Sequence, residues 1–246
     1  MTAAHPPGQI GGHYADATTI ARLRVVTGGA GVVVGVDQHG EPVTVRLFRP
    51  EPTRCVVVGG LRLVQLLVFR ALGAGATVTV HTGRPAAWLT FVNRTNVSRD
   101  VVRLVPPDAE IAGWAGGDGA APDDPHLTVV DSGGGVARDA GGGTEAGTVL
   151  TAHDEVSTWN TDLLAAADLV LLRPLSSAES TLVGPLLTKP QLATTLHRLP
   201  PDILTILSRG TVQWARLAPT DAERALIGSA AVADRQPPPS RGTAST

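Results

Sequence analysis

The stretch Arg54-Cys55-Val56-Val57-Val58-Gly59-Gly60-Leu61-Arg62-Leu63-Val64-Gln65-Leu66-Leu67-Val68-Phe69-Arg70-Ala71-Leu72-Gly73-Ala74-Gly75-Ala76-Thr77-Val78-Thr79-Val80-His81-Thr82-Gly83-Arg84 decides the fold. A β-branched run, a Gly-Gly turn, an apolar segment, a Gly-rich stop and a second β-branched run spell strand, helix, strand. Strands joined through a helix of this length run parallel, and the crossover is right-handed. Within residues 61–72 only Arg62, Gln65 and Arg70 are polar, and helical geometry puts them in one sector. The helix is therefore expected to show water a narrow stripe and to bury the rest on a sheet.

Toward the N-terminus, residues 31–37 and 42–48 are β-branched runs around the polar turn Gln38-His39-Gly40-Glu41, a β-hairpin signal. Residues 21–26 predict a further strand. Toward the C-terminus, short helices are expected at 86–92 and 162–167, and strands at 100–105, 126–131, 148–151 and 169–172. Ser176 with Glu179 and Thr220 with Glu223 have the spacing of capping boxes, which predicts helices from each. A helix is also expected over 190–198. Residues 202–207 and 211–217 pair as a second hairpin, with Trp214 on an edge. The expected fold is α/β: a Rossmann-like, mostly parallel sheet with helices on both faces and flanking antiparallel hairpins.

The 246 residues carry a formal charge of −2, which gives no electrostatic case for nucleic acid. One cysteine, Cys55, lies in an apolar run and reads as a buried hydrophobe; no disulfide framework is possible. No signal peptide and no membrane span are expected, because residues 61–72 are too short and carry two arginines. A single lysine, Lys189, among many arginines points to a GC-rich genome.

Gly59-Gly60, after a strand and before a helix, is where phosphates are gripped by backbone N–H groups and the helix dipole. A phosphate-loop NTPase also needs Lys followed by Ser or Thr there, and the chain has Leu61, Arg62 and Leu63. A Rossmann dinucleotide site needs a third glycine and an acidic residue ending the next strand. Here Gly83-Arg84 follows that strand, and Arg84 could face a 2′-phosphate. Asp131, before Ser132-Gly133-Gly134-Gly135, sits where α/β folds place ligands or metals, and equally where a turn former sits. The histidines show no metal-ligand spacing. His153-Asp154-Glu155 reads as a solvated loop. Trp159 and Trp214 are candidate partner anchors, with packing the alternative. Neither a catalytic residue nor a metal site is expected, and no cofactor; the chain reads as a non-enzyme.

Residues of about 22–92 resemble the cytosolic domain of EccE, a component of the type VII (ESX) secretion system. The resemblance rests on Gly31-Val32-Val33-Val34-Gly35, the hairpin with Pro42-Val43, Val56-Val57-Val58-Gly59-Gly60, and residues 69–80. It implies a non-enzymatic scaffold in an actinobacterium, working by protein–protein contact with secretion-machinery membrane-complex proteins. The place implied is cytoplasmic, peripheral at the inner face of the plasma membrane. EccE proteins carry N-terminal membrane helices and this sequence shows none. On this reading residues 1–20 are a flexible N-terminus, 21–233 a single EccE-like α/β domain and 234–246 a disordered tail. The alternative is a degenerate nucleotide-binding domain holding a ligand, without hydrolysis, at Gly59, Gly60, Gly83, Arg84 or Asp131. An NADP-dependent enzyme ranks last.

Overall fold

The computed structural model describes residues 31–109, 125–131, 147–187 and 190–228. The predicted strand at 21–26, the glycines after Asp131, Lys189 and both termini lie outside the described residues. The hairpin is β1 (Gly31–Val36) and β2 (Pro42–Arg46), and the deciding stretch is β3 (Thr53–Val58), α1 (Leu61–Gly73) and β4 (Thr77–Thr82). Then come α2 (Pro85–Thr95), β5 (Val102–Val105), β6 (His126–Asp131), β7 (Thr148–His153), α3 (Thr161–Ala166) and β8 (Leu169–Leu172). The chain continues through α4 (Ser177–Val183), α5 (Ala193–Leu196), β9 (Ile203–Ser208), β10 (Thr211–Arg216) and α6 (Asp221–Ile227).

All described strands join one ten-stranded sheet in the order β2-β1-β10-β9-β8-β3-β7-β6-β4-β5. The six from β8 to β5 are mutually parallel, and β9, β10, β1 and β2 add antiparallel at one side. This is the expected α/β class, with one refinement. β3 and β4 are parallel members of one sheet, but β7 and β6 lie between them. A crossover helix fixes direction and hand and leaves strands free to enter between its ends.

The parallel strands are apolar on both faces because helices cover both. Along β3 the side chains alternate: Cys55 and Val57 join the core under α1, α2 and α6, while Val56 and Val58 join the core under α3, α4 and α5. In α1, Leu63, Val64, Leu66, Leu67 and Val68 are all buried, each stabilising the fold by about 1.5–3 kcal/mol. Burial raises the Cys55 thiol pKa to about 12, so Cys55 is the inert hydrophobe its context predicts.

Both capping boxes form, at Ser176 with Glu179 and at Thr220 with Glu223. Three expectations are corrected. The polar stripe of α1 does not face water: Gln65 is buried and donates to the Ala87 carbonyl, and Arg70 pairs with Glu223 of α6. The hairpin that carries Trp214 is not at the edge of the sheet, because β10 pairs with β9 along its length and with β1 at Arg216; Trp214 itself lies two residues beyond that last pair. The helix expected over 190–198 is a 3-10 turn, Pro190–Leu192, followed by the single turn of α5. Among the described residues no helix is long and apolar enough to cross a membrane.

Candidate functional site

Because β3, β7, β6 and β4 are neighbours and parallel, their C-terminal ends share one edge of the sheet. Gly59-Gly60 follows β3, His153 ends β7 with Asp154 next, Asp131 ends β6, and Thr82-Gly83-Arg84 closes β4. Register aligns Thr82 with Asp131, Asp131 with Ala152, and His153 with Val58. Ligand sites of open α/β sheets form at such an edge. The candidate ligand residues Gly59, Gly60, Gly83, Arg84 and Asp131 are therefore brought to one border of the sheet, and Trp214 on β10 is not.

Asp131 is its electrostatic centre. Only 2% of the residue is exposed, yet the carboxylate is fully provided for. Arg84 donates from Nη2 to Oδ1 at 2.7 Å and from Nε to Oδ2 at 2.9 Å. The indole Nε1 of Trp88 donates to Oδ2 at 2.7 Å, and the Thr82 hydroxyl donates to the same oxygen at 3.0 Å. Burial alone would raise the Asp131 pKa; the bonds from Arg84, Trp88 and Thr82 outweigh it and hold the carboxyl below its ordinary range. The bonds to Asp131 likewise hold the Arg84 guanidinium above its usual value.

Local sequence places these donors. Pro85 at the first helical position starts α2 directly after β4, so Trp88 lies about one turn in, facing the sheet. Trp88 is fully buried and meets Phe91 edge-on, centroids 5.8 Å apart at 88°. The remaining reach of Arg84 goes to Asp154, 3.4 Å from each terminal nitrogen. Arg84 is thus held by two carboxylates, and a 2′-phosphate would have to displace them.

The two glycines after β3 act differently. Gly59 donates its N–H to the His153 carbonyl at 3.2 Å, and a Cβ there would collide with Leu63 Cδ2, so Gly59 lets helix pack on strand. Gly60 has φ 77° and ψ 169°, a region open essentially to glycine alone, and a Cβ built on it meets nothing within 4 Å. The start of α1 therefore adjoins open space. No side chain caps it, and no acidic residue stands in its first turn. Uncapped N–H groups and the helix dipole make such an end favourable to an anion. Gly83 has only Pro107 Cγ near a built Cβ, at 4.0 Å.

The loop after β7 is held rigidly. Arg173 donates to the Asp154 carbonyl at 2.9 Å, Glu179 accepts from the Val156 N–H at 3.0 Å, and Asn160 bonds to both Ser157 and Glu155. Of the expected solvated loop His153-Asp154-Glu155, Glu155 is exposed, whereas His153 ends β7 buried and the half-exposed Asp154 lies beside Arg84. The His153 Nε2 atom has no hydrogen-bond partner, nor does Nδ1 of the buried His81. Burial pushes both imidazoles below the ordinary histidine pKa. Trp159, 80% exposed, stands on the same loop. Among the described residues no group of three or more His, Cys, Asp or Glu could hold a metal ion.

Sequence reasoning found Arg84 and Asp131 but missed Thr82, Trp88, Asp154 and Arg173. Trp88 carried a signal, being four residues after Arg84 on the helix that Pro85 starts. Asp154 carried another, since it ends an unbroken run of strand residues.

No protein-family model and no curated protein sequence matches the chain. Solved structures are similar to it at low identity. The cytoplasmic domain of the type VII secretion ATPase EccC of Thermomonospora curvata is 14% identical with a TM-score of 0.46, covering 85% of this chain and 32% of that one. The cytoplasmic domain of EssC is 16% identical with a TM-score of 0.44, covering 81% of this chain and 45% of that one. The genome packaging NTPase B204 of Sulfolobus turreted icosahedral virus 2, in complex with sulfate, is 12% identical with a TM-score of 0.44, covering 69% of this chain and 98% of that one. The chain thus spans less than half the length of the EccC and EssC chains.

Two expectations change with these findings. The resemblance to EccE is not matched by name: EccC is a type VII secretion ATPase, and neither EccC nor EssC is EccE. The reading of the chain as a non-enzyme is withdrawn: the solved structures it is similar to include an ATPase and an NTPase. That reading rested on the missing lysine, the missing third glycine and ribose acid, the lack of metal-ligand spacing and the resemblance to a scaffold family; the uncapped helix end and the strand edge are present all the same.

Proposed function

We propose that the chain is a nucleotide-binding domain of the NTPase fold, working within a type VII secretion complex at its cytosolic side. The phosphates of the ligand lie at the N-terminus of α1, against Gly60 and the backbone that follows it. The observation that carries this is Gly60 itself: a glycine-only backbone conformation opening onto free space, at an uncapped helix end. The buried, unpartnered His153 Nε2 at the end of the neighbouring strand supports it, as a polar atom near that edge left without a bond. Arg84, Asp131 and Asp154 stand at the ends of β4, β6 and β7 along the same edge, where the guanidinium neutralises one of the two carboxylates. The partners in this reading are membrane-complex proteins of the secretion machinery.

A thermal-shift series with ATP, ADP, NADP and inorganic pyrophosphate tests the ligand class. The reading expects saturable stabilisation by the adenine nucleotides and by pyrophosphate, with phosphate release followed in the same samples. No stabilisation by any of them at millimolar concentration would overturn it. Stabilisation by NADP alone would return Arg84 to the role its sequence position suggested.

A further inference from the structure

Helix α6 is laid back along α1, and its far end meets the first turn of α1. Arg70, near the C-terminal end of α1, binds Glu223 in the first turn of α6 at 2.7 Å. At the other end Gly228, which closes α6, lies against Arg62. A Cβ built on Gly228 would stand 3.7 Å from the guanidinium carbon and from Nη1, and 3.8 Å from Nε. The two helices are therefore antiparallel, and the C-terminal end of α6 is brought to the helix start that follows Gly60. Arg94 of α2 also ties α6, donating to the Leu226 carbonyl at 3.4 Å.

Arg62 is the second residue of α1 and is half-buried, and no acidic residue stands in that first turn. Helical side chains lean toward the N-terminus, so Arg62 reaches back over the turn that Gly60 opens. A cation there is opposed by the dipole of its own helix, whose N-terminal end is positive. The C-terminal end of α6, of opposite polarity, relieves part of that cost. The carboxylates of α6 are engaged elsewhere: Glu223 with Arg70, and Asp221 with Arg224 at 2.6 Å. Two positive features, a helix N-terminus and a seated guanidinium, thus stand together beside the open space at Gly60.

We propose that Arg62 is the side-chain cation that takes the phosphates of the nucleotide, seated for that task by the end of α6. This rests on the nucleotide reading above and names the residue that supplies its charge. A guanidinium offers a planar fork of donors that matches phosphate oxygens, and a charge-assisted bond of this kind is about twice as strong as a neutral one. The phosphate in turn ends the conflict between Arg62 and its own helix, because an anion between the two attracts both. Arg84 and Arg173, at the ends of β4 and β8, each face a carboxylate already, Asp131 at 2.7 Å and Glu179 at 3.6 Å.

The test is an isothermal titration of inorganic pyrophosphate, ATP and adenosine into the full chain and three variants, with folding followed by melting temperature. Arg62→Gln removes the charge, Arg62→Lys keeps it, and Arg94→Gln loosens α6 without touching the first turn of α1. Pyrophosphate and ATP should bind Arg62→Gln about tenfold more weakly or worse, Arg62→Lys should recover part of that loss, and Arg94→Gln should bind as the wild type does. Adenosine, which carries no phosphate, should not distinguish the four chains. Equal pyrophosphate binding by the wild type and Arg62→Gln, with Gly60→Val still weakened, would overturn the role of Arg62 and leave the nucleotide site standing. A loss that lysine does not relieve, or an equal loss in Arg94→Gln, would also overturn it, since the seating of α6 and not the charge would then be the cause. No binding of pyrophosphate or ATP by the wild type would remove the nucleotide reading and this assignment with it.

Discussion

The guanidinium of Arg84 grips the carboxylate of Asp131 through two nitrogens, at 2.7 and 2.9 Å, across the ends of two adjacent parallel strands. The pair joins the start of α2 to the end of β6. With Trp88 and Thr82 it turns a buried negative charge, costly when alone, into a satisfied one. Asp131→Ala leaves a guanidinium and an indole N–H without their acceptor and opens a gap in the edge. It is expected to lower unfolding stability by about 3 kcal/mol, measured by urea denaturation. A change under about 0.5 kcal/mol would mean that the carboxylate is not held as described.

Trp88→Phe keeps the ring in the core and removes one donor from Asp131. A loss of about 1–2 kcal/mol is expected. Combined with Asp131→Ala, the two losses should not add, because the partner of the indole is already gone. Urea midpoints of the single and double variants supply the cycle.

Acid should destabilise the fold in two stages. His81 and His153 have folded pKa values below the ordinary histidine value of about 6.5, so the unfolded chain takes up protons first as pH falls through it. Their contribution is present above that pH and is lost on acidification. Asp131, Glu179 and Glu223 lie below the ordinary carboxylate range; their contribution is present above about pH 4 and is lost as pH falls through the folded values. Melting temperatures between pH 7.5 and 3 should decline from about pH 6.5, then more steeply below about pH 4. The double variant His81→Gln, His153→Gln should flatten the first stage and keep the second.

Arg70 binds Glu223 at 2.7 and 3.0 Å and also donates to the carbonyls of Val33 and Ala218. One side chain of α1 thus fastens α6 and β1. Glu223 also accepts from the Thr220 N–H, so Glu223→Ala removes an ion pair and a cap together. About 2–3 kcal/mol should be lost, with amide exchange quickening first in α6. Unchanged protection of α6 would contradict this.

The sequence made the framework legible where one residue type had one physical use. The β-branched runs, the two capping boxes and the inert Cys55 belong to that class. It was opaque where the answer depended on which strands became neighbours. The ends of β4 and β6 meet only because β6 inserts into the sheet, so Arg84 and Asp131 could be named singly and not as a pair. The stripe of Gln65 and Arg70 misled for the same reason: helical periodicity shows which residues share a side, and Ala87 and Glu223, distant in the chain, decide whether that side is wet. Gly59 and Gly60 looked alike in the sequence. Only the backbone separates the packing glycine from the one that opens onto space.

The most direct test of the account is an isothermal titration of ATP and magnesium into the wild-type chain, Gly60→Val and Leu61→Asp. Gly60→Val places a side chain in the open space and strains the backbone; Leu61→Asp puts a carboxylate at the helix start, which suits the dipole and repels a phosphate. The account predicts saturable binding by the wild type and at least a tenfold loss in both variants, with folding verified by circular dichroism. No binding by the wild type, or binding unchanged in both folded variants, would contradict it.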